Sequence, residues 1–126
     1  MDHNIHTYIA PGRRAHLVGI GGVSMSPLAE VLHGAGMVIT GSDMREGPAV
    51  AHLRNLGIPV AIGHREENVG DAELVIRTAA VHDSNPEIAA ARARGIPVFE
   101  RAQAWGAVMK GYQNALCISG THGKTT

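Results

Sequence analysis

The stretch AHLVGIGGVSMSPLAEVLHGAG, residues 15–36, decides the fold. It opens on a short apolar run, 15–20, of the length and composition of a buried strand. Met25, Leu28, Leu32 and Ala35 then recur at helical spacing, with Val31 beside them. Ser24 or Ser26 can cap that helix, Pro27 is tolerable only in its first turn, and Gly34 or Gly36 ends it. Between strand and helix lies GIGGVSMS. Gly19 and Gly21 match the first two glycines of a dinucleotide fingerprint, and Ser24 stands at the third position. Gly22 belongs to the same loop. Such a loop lets the backbone approach a diphosphate, and the N–H groups at the helix start attract its charge. A glycine turn can also serve strand–helix packing alone. The strand before and the helix after favour a phosphate role.

The same alternation repeats outward. Strands are expected over 37–42, 58–63, 73–78 and 96–99, and helices over 48–57, 85–95 and 101–112. ALCIS, 115–119, reads as a last strand. Residues 1–14 show no period and form a lead-in, ordered only if they pack on something. Strands alternating with helices of about ten residues predict an α/β fold: a Rossmann-like, doubly wound parallel sheet with helices on both faces. In such sheets ligands bind beyond the carboxyl ends of the strands, where strand order reverses.

The chain has 126 residues, which suits one domain. Aromatics are few (Trp105, Phe99, Tyr8 and Tyr112), so the core must be aliphatic. Formal charge is zero with both signs dispersed, and no basic stripe points to nucleic acid. No apolar run approaches the ~20 residues that span a membrane. Cys117 is the only cysteine, so no internal disulfide can form; a reduced, buried thiol and a cytoplasmic location are expected. The eight histidines follow no metal-binding pattern.

Candidate ligand residues follow the strands. Ser42 and Asp43 end the second one. An acid about 20 residues beyond the glycine loop accepts hydrogen bonds from ribose hydroxyls, though a turn aspartate bonded to its own backbone explains it too. His64 follows the third strand and on spacing alone reads more readily as a solvated loop histidine than as a ligand residue. Thr78, Ala79 and Ala80 lie at the carboxyl edge of the fourth. Asn85, Pro86 and Glu87 read as a helix start rather than a site. GTHGKTT, 120–126, departs from the general P-loop spacing, with two residues between Gly120 and Gly123. Its chemistry is the same: glycines permit a cradle of amides, Lys124 can reach the outer phosphates, and a threonine hydroxyl can hold Mg²⁺.

HLVGIGGVSMSPLAEVL, GSD, TAAVHDSNPEI, GIPVFERAQ and SGTHGKTT occur in this order. Together they resemble the start of the Mur ligase family, in the branch that joins L-alanine to UDP-N-acetylmuramate during peptidoglycan synthesis. The resemblance runs from about residue 11 to the end of the chain. It implies an ATP-dependent ligase of three domains, of which 15–112 would be the UDP-sugar-binding domain and 113–126 the first strand and P-loop of the central ATPase domain. The chain alone would then lack ligase activity. The resemblance places Gly19, Gly21, Gly22 and Ser24 against the substrate diphosphate, and Ser42, Asp43, His64, Thr78 and Ala79 around the uridine. It assigns Gly120, Thr121, His122, Gly123, Lys124, Thr125 and Thr126 to ATP, with Lys124 catalytic and Thr125 on Mg²⁺. The implied reaction is attack of the muramoyl carboxylate on the γ-phosphate, then displacement of phosphate by the amine of alanine. An unpaired strand at 115–119 would pair either with the sheet edge of the first domain or with a second copy of the chain, and the second case would give a homodimer. Two readings stay open beside this one: a murein-peptide ligase of the same family, and a NAD-binding Rossmann domain.

Overall fold

The computed structural model describes residues 5–119. Five strands form one parallel sheet: β1 (Arg14–Val18), β2 (Val38–Asp43), β3 (Val60–Ile62), β4 (Leu74–Arg77) and β5 (Val98–Glu100). Their spatial order is β3-β2-β1-β4-β5. The register sets Val18 beside both Ser42 and Arg77, so the carboxyl ends of the three central strands finish level. From β1 the chain steps outward to β2 and β3, then returns to the other side of β1 to lay down β4 and β5. A single handedness of crossover sends the helices that connect strands in the two halves to opposite faces, and the helix after β5 returns to the face of the first half. The expected doubly wound sheet is therefore present.

The two faces differ in size. Ala15, Leu17, Ile39, Leu74, Ile76 and Phe99 belong to the larger core. It is completed by α2 (Met25–Gly34) through Met25, Leu28 and Leu32, by α3 (Pro48–Asn55) through Val50 and Leu53, and by α5 (Arg101–Ser119) through Ala104 and Val108. Met25, Leu28 and Leu32 are the inward residues the 3.6-residue period picks out, whereas Ala35, expected on the same stripe, is the exposed C-cap residue beyond the helix. Gly36, at φ +96, ends the turn that follows α2, a conformation that costs other residues a Cβ clash. The second face carries a smaller cluster: Val18 and Val75 from the sheet, Ile88 and Ala91 from α4 (Pro86–Ala93), and Val69 from a 3₁₀ turn, Glu66–Val69.

Two segments sharpen the expectations. The lead-in does pack: a short helix α1 (Ile5–Tyr8) sets Ile5, Tyr8 and Ile9 on the larger core, and the Tyr8 ring lies 5.8 Å from that of Phe99. Residues 115–119, expected as a strand, instead continue α5, which runs to Ser119. A helix pairs its backbone groups within the segment. A strand there would need a neighbouring strand, and all five described strands pair with one another. Among the described residues no helix is long and apolar enough to cross a membrane.

Candidate functional site

Strand order reverses between β1 and β4, so the crevice lies beyond their carboxyl ends. The glycine loop forms its first wall. Gly19 leaves β1 at φ +80, and the amides of Gly19 and Ile20 both bond to the Ser42 carbonyl, at 2.9 and 3.0 Å. The Gly21 amide donates to Asp43 Oδ2 at 2.8 Å, and that of Gly22 to the Gly19 carbonyl at 3.1 Å. The next three amides, of Val23, Ser24 and Met25, have no acceptor among the described residues. Ser24 holds the N-cap position of α2, yet its hydroxyl makes no capping bond. That hydroxyl accepts from Arg101 Nη1 at 2.8 Å and from Trp105 Nε1 at 3.2 Å. Open amides, the positive end of a helix and a guanidinium thus meet at one point, and each favours an anion.

Asp43, at the end of β2, faces this loop. Its Oδ2 takes the Gly21 amide and its Oδ1 the Met44 amide, the latter at 2.8 Å. A Cβ on Gly21 would stand 2.9 Å from Asp43 Oδ2, so only glycine permits this approach. Asp43 is therefore first a brace for the loop, and the self-bonded turn reading describes half of its contacts. Beside it, between Gly21, Asp43 and the start of α3 at Gly47–Val50, opens a cavity of about 260 Å³.

A polar hub lies under the other side. Glu87, in the first turn of α4, is fully buried. Its Oε1 accepts from His16 Nε2 and from the Ser42 hydroxyl, each at 2.6 Å. Its Oε2 accepts from Asn68 Nδ2 at 2.8 Å, from the Arg65 amide at 3.0 Å and from His64 Nδ1 at 3.3 Å. Burial pushes the Glu87 carboxyl up, but the bonds from His16, Ser42 and Asn68 outweigh it and hold the group down at about 2. His16 Nδ1 meets the Thr40 hydroxyl at 2.8 Å, so that ring is also satisfied on both sides.

Thr78 and Ala79 lead the loop after β4, as expected. That loop reaches the glycine loop: the Val81 side chain lies 3.7 Å from where a Cβ on Gly19 would stand. Buried Arg77, the last residue of β4, secures it through bonds to Asp83 and the Val81 carbonyl. Bonding to Arg77, with Arg92 nearby, lowers the Asp83 carboxyl below its ordinary range.

The structure therefore brings Gly19, Gly21, Gly22, Ser24, Asp43, His64, Thr78 and Ala79 to one end of the sheet. Ser42 departs from its expected place at the ligand. It is enclosed, with its hydroxyl bonded to Glu87 and His64, the latter at 3.1 Å, because the pleat of β2 turns it to the covered face. Gly120 to Thr126, including Lys124 and Thr125, lie outside the described residues. Sequence reasoning missed Arg101 and Trp105, which contact the loop across 77 and 81 residues. It also missed His16, Asn68 and the second role of Glu87. One signal was available: a histidine inside the apolar run AHLV demands buried partners.

The Mur ligase family, catalytic domain, matches residues 14–113. A UDP-N-acetylmuramate–L-alanine ligase of Acetivibrio thermocellus is 48% identical over 114 residues, which cover 90% of this chain and 24% of that protein. The enzyme of the same name from Rhodospirillum rubrum is 50% identical over 111 residues, 88% of this chain and 23% of the relative. Among solved structures, UDP-N-acetylmuramate–alanine ligase MurC of Thermotoga maritima superposes with a TM-score of 0.75 at 40% identity, over 77% of this chain and 23% of that one. A murein peptide ligase of Psychrobacter arcticus gives 0.65 at 25% identity, over 69% of this chain and 18% of its own. The chain thus spans about a quarter of the length of its curated relatives. With a match over 100 consecutive residues and the glycine loop, brace and parallel sheet in place, the chain belongs to the Mur ligase family.

Proposed function

We propose that residues 15–112 are the UDP-N-acetylmuramate-binding domain of an ATP-dependent ligase that adds L-alanine to that substrate in peptidoglycan synthesis, in the cytoplasm. The observation that carries this reading is the convergence of the Val23 and Ser24 amides and the start of α2 with Arg101 at the switch point of the sheet. Two open donors, the amides of exposed Val23 and half-buried Ser24, and a fixed cation suit a diphosphate. They would take it without reorganisation, since Ser24 is already held by Arg101 and Trp105. Asp43, His64, Thr78 and Ala79 would border the uridine half, with Ser42 acting through His64. The names and identity levels of the relatives favour the alanine-adding branch over the murein-peptide branch. Residues 113–126 would open the ATPase domain. There Gly120 to Thr126 would hold ATP, with Lys124 and Thr125 offsetting and binding charge at the outer phosphates and Mg²⁺; these roles rest on the sequence pattern.

Calorimetric titration with UDP-N-acetylmuramate, UDP, uridine and NADH tests the reading. Both diphosphates of uridine should bind, uridine should bind at least tenfold more weakly than UDP, and NADH should not compete. In Arg101→Ala the preference for UDP over uridine should shrink. Binding of NADH without binding of UDP would overturn the reading in favour of a dinucleotide domain.

A further inference from the structure

His64 has a restricted hydrogen-bonding sense. An ionised carboxylate only accepts, so each donor atom that faces Glu87 must carry a hydrogen toward it. Ser42 has one hydroxyl hydrogen, and at 2.6 Å it goes to Glu87 Oε1. Toward His64 the Ser42 oxygen can then only accept. Both neighbours of His64 Nδ1, Glu87 Oε2 at 3.3 Å and Ser42 Oγ at 3.1 Å, therefore require the hydrogen on Nδ1. In the neutral ring this leaves Nε2 as a bare acceptor on the far side from Glu87. Nε2 has no partner among the described residues. The single buried side-chain nitrogen or oxygen without a hydrogen-bond partner there is Arg77 Nε, so His64 Nε2 reaches solvent. The ring follows Gly63, whose amide bonds the Asp43 carbonyl at 2.8 Å. His64 thus stands at the carboxyl end of β3, beside Asp43.

We propose that Glu87 is a positioning residue that fixes His64 as a hydrogen-bond acceptor, and that His64 Nε2 selects a donor on the nucleoside half of the ligand. This rests on the nucleotide reading above. Two groups of a uridine nucleotide have the required chemistry, a ribose hydroxyl and the imide N–H of the base. A base whose matching edge carries a lone pair would meet lone pair with lone pair and be rejected.

Long-range proton–nitrogen spectra of the nitrogen-15-labelled chain read the tautomer, and titration reads the selection. Wild type should show His64 with its hydrogen on Nδ1. It should bind UDP about tenfold more tightly than one of two analogues, 2′-deoxy-UDP or UDP methylated on the imide nitrogen. The analogue that loses affinity identifies the donor. In Glu87→Gln the tautomer should shift toward Nε2–H, with UDP affinity down by about tenfold. If that variant does not fold, His64→Phe keeps a ring without the acceptor; UDP should weaken and the discrimination between analogues should vanish. A wild-type hydrogen on Nε2 overturns the role of Glu87. Equal affinity for all three nucleotides overturns the selection by His64. If wild type binds no UDP, the nucleotide reading fails on its own, while the tautomer still decides the role of Glu87.

Discussion

The glycine loop and the Glu87 hub lie at the same end of the sheet but are built in opposite ways. The loop is local: six residues, 19–24, whose working parts are backbone amides. The hub is assembled from far apart, with Glu87 standing 71 residues from His16 and 45 from Ser42. The loop leaves donors open, whereas the hub closes every one it has around a single acceptor. Open donors cost little in solvent and are ready for an anion, while buried donors must be matched inside the protein. The loop is therefore suited to binding, and the hub to holding the binding elements in register.

Glu87→Ala should have the largest effect. It would leave the His16, Ser42, Asn68 and Arg65 donors without their acceptor and cost about 3–5 kcal/mol of stability, read from urea denaturation. A cost below about 1 kcal/mol would mean the hub does not hold the sheet end together. Acid is next. The ordinary carboxyl value of 4.5 falls to about 2 on folding, so the stabilisation is fully present above 4.5 and is lost as pH falls toward 2. It amounts to something on the order of 3 kcal/mol, and urea midpoints followed down through that window should show the loss. A flat profile would contradict an ionised Glu87. The smallest effect on stability belongs to the loop. In Gly21→Ala the new Cβ would meet Asp43 Oδ2 at 2.9 Å and Val50 Cγ2 at 3.2 Å, forcing the carboxylate off the Gly21 amide. Stability should fall by about 1 kcal/mol, yet UDP affinity should fall about tenfold. Unchanged UDP affinity in that variant would separate the loop from the ligand and erase the contrast.

The same contrast explains what was legible beforehand. The strand–glycine–helix passage at 15–36 could be read because its parts are neighbours in the chain. So could the start of α4: Asn85 Oδ1 does accept the Glu87 amide, at 2.9 Å. The side chain of that same glutamate went unread, because the cap sets its backbone and says nothing of what its carboxylate meets across the sheet. Ser42 was placed at the ligand by its position after a strand, but strand pleat turned it inward. At 115–119 an apolar run suited either strand or helix, and period alone does not separate them. Arg101 was invisible for a further reason: its partner, Ser24, is brought near only when β5 ends and α5 turns back over the larger face.

Local order along the chain determined the five strands, the helices between them and the loop that presents amides, because spacing, caps and glycines act over a few residues. Packing of the sheet decided the rest. It chose which residues after each strand face the crevice, joined Arg101 to the glycine loop and buried one carboxylate among donors from distant segments. Those contacts depend on strand order and pleat, which no short window of sequence contains.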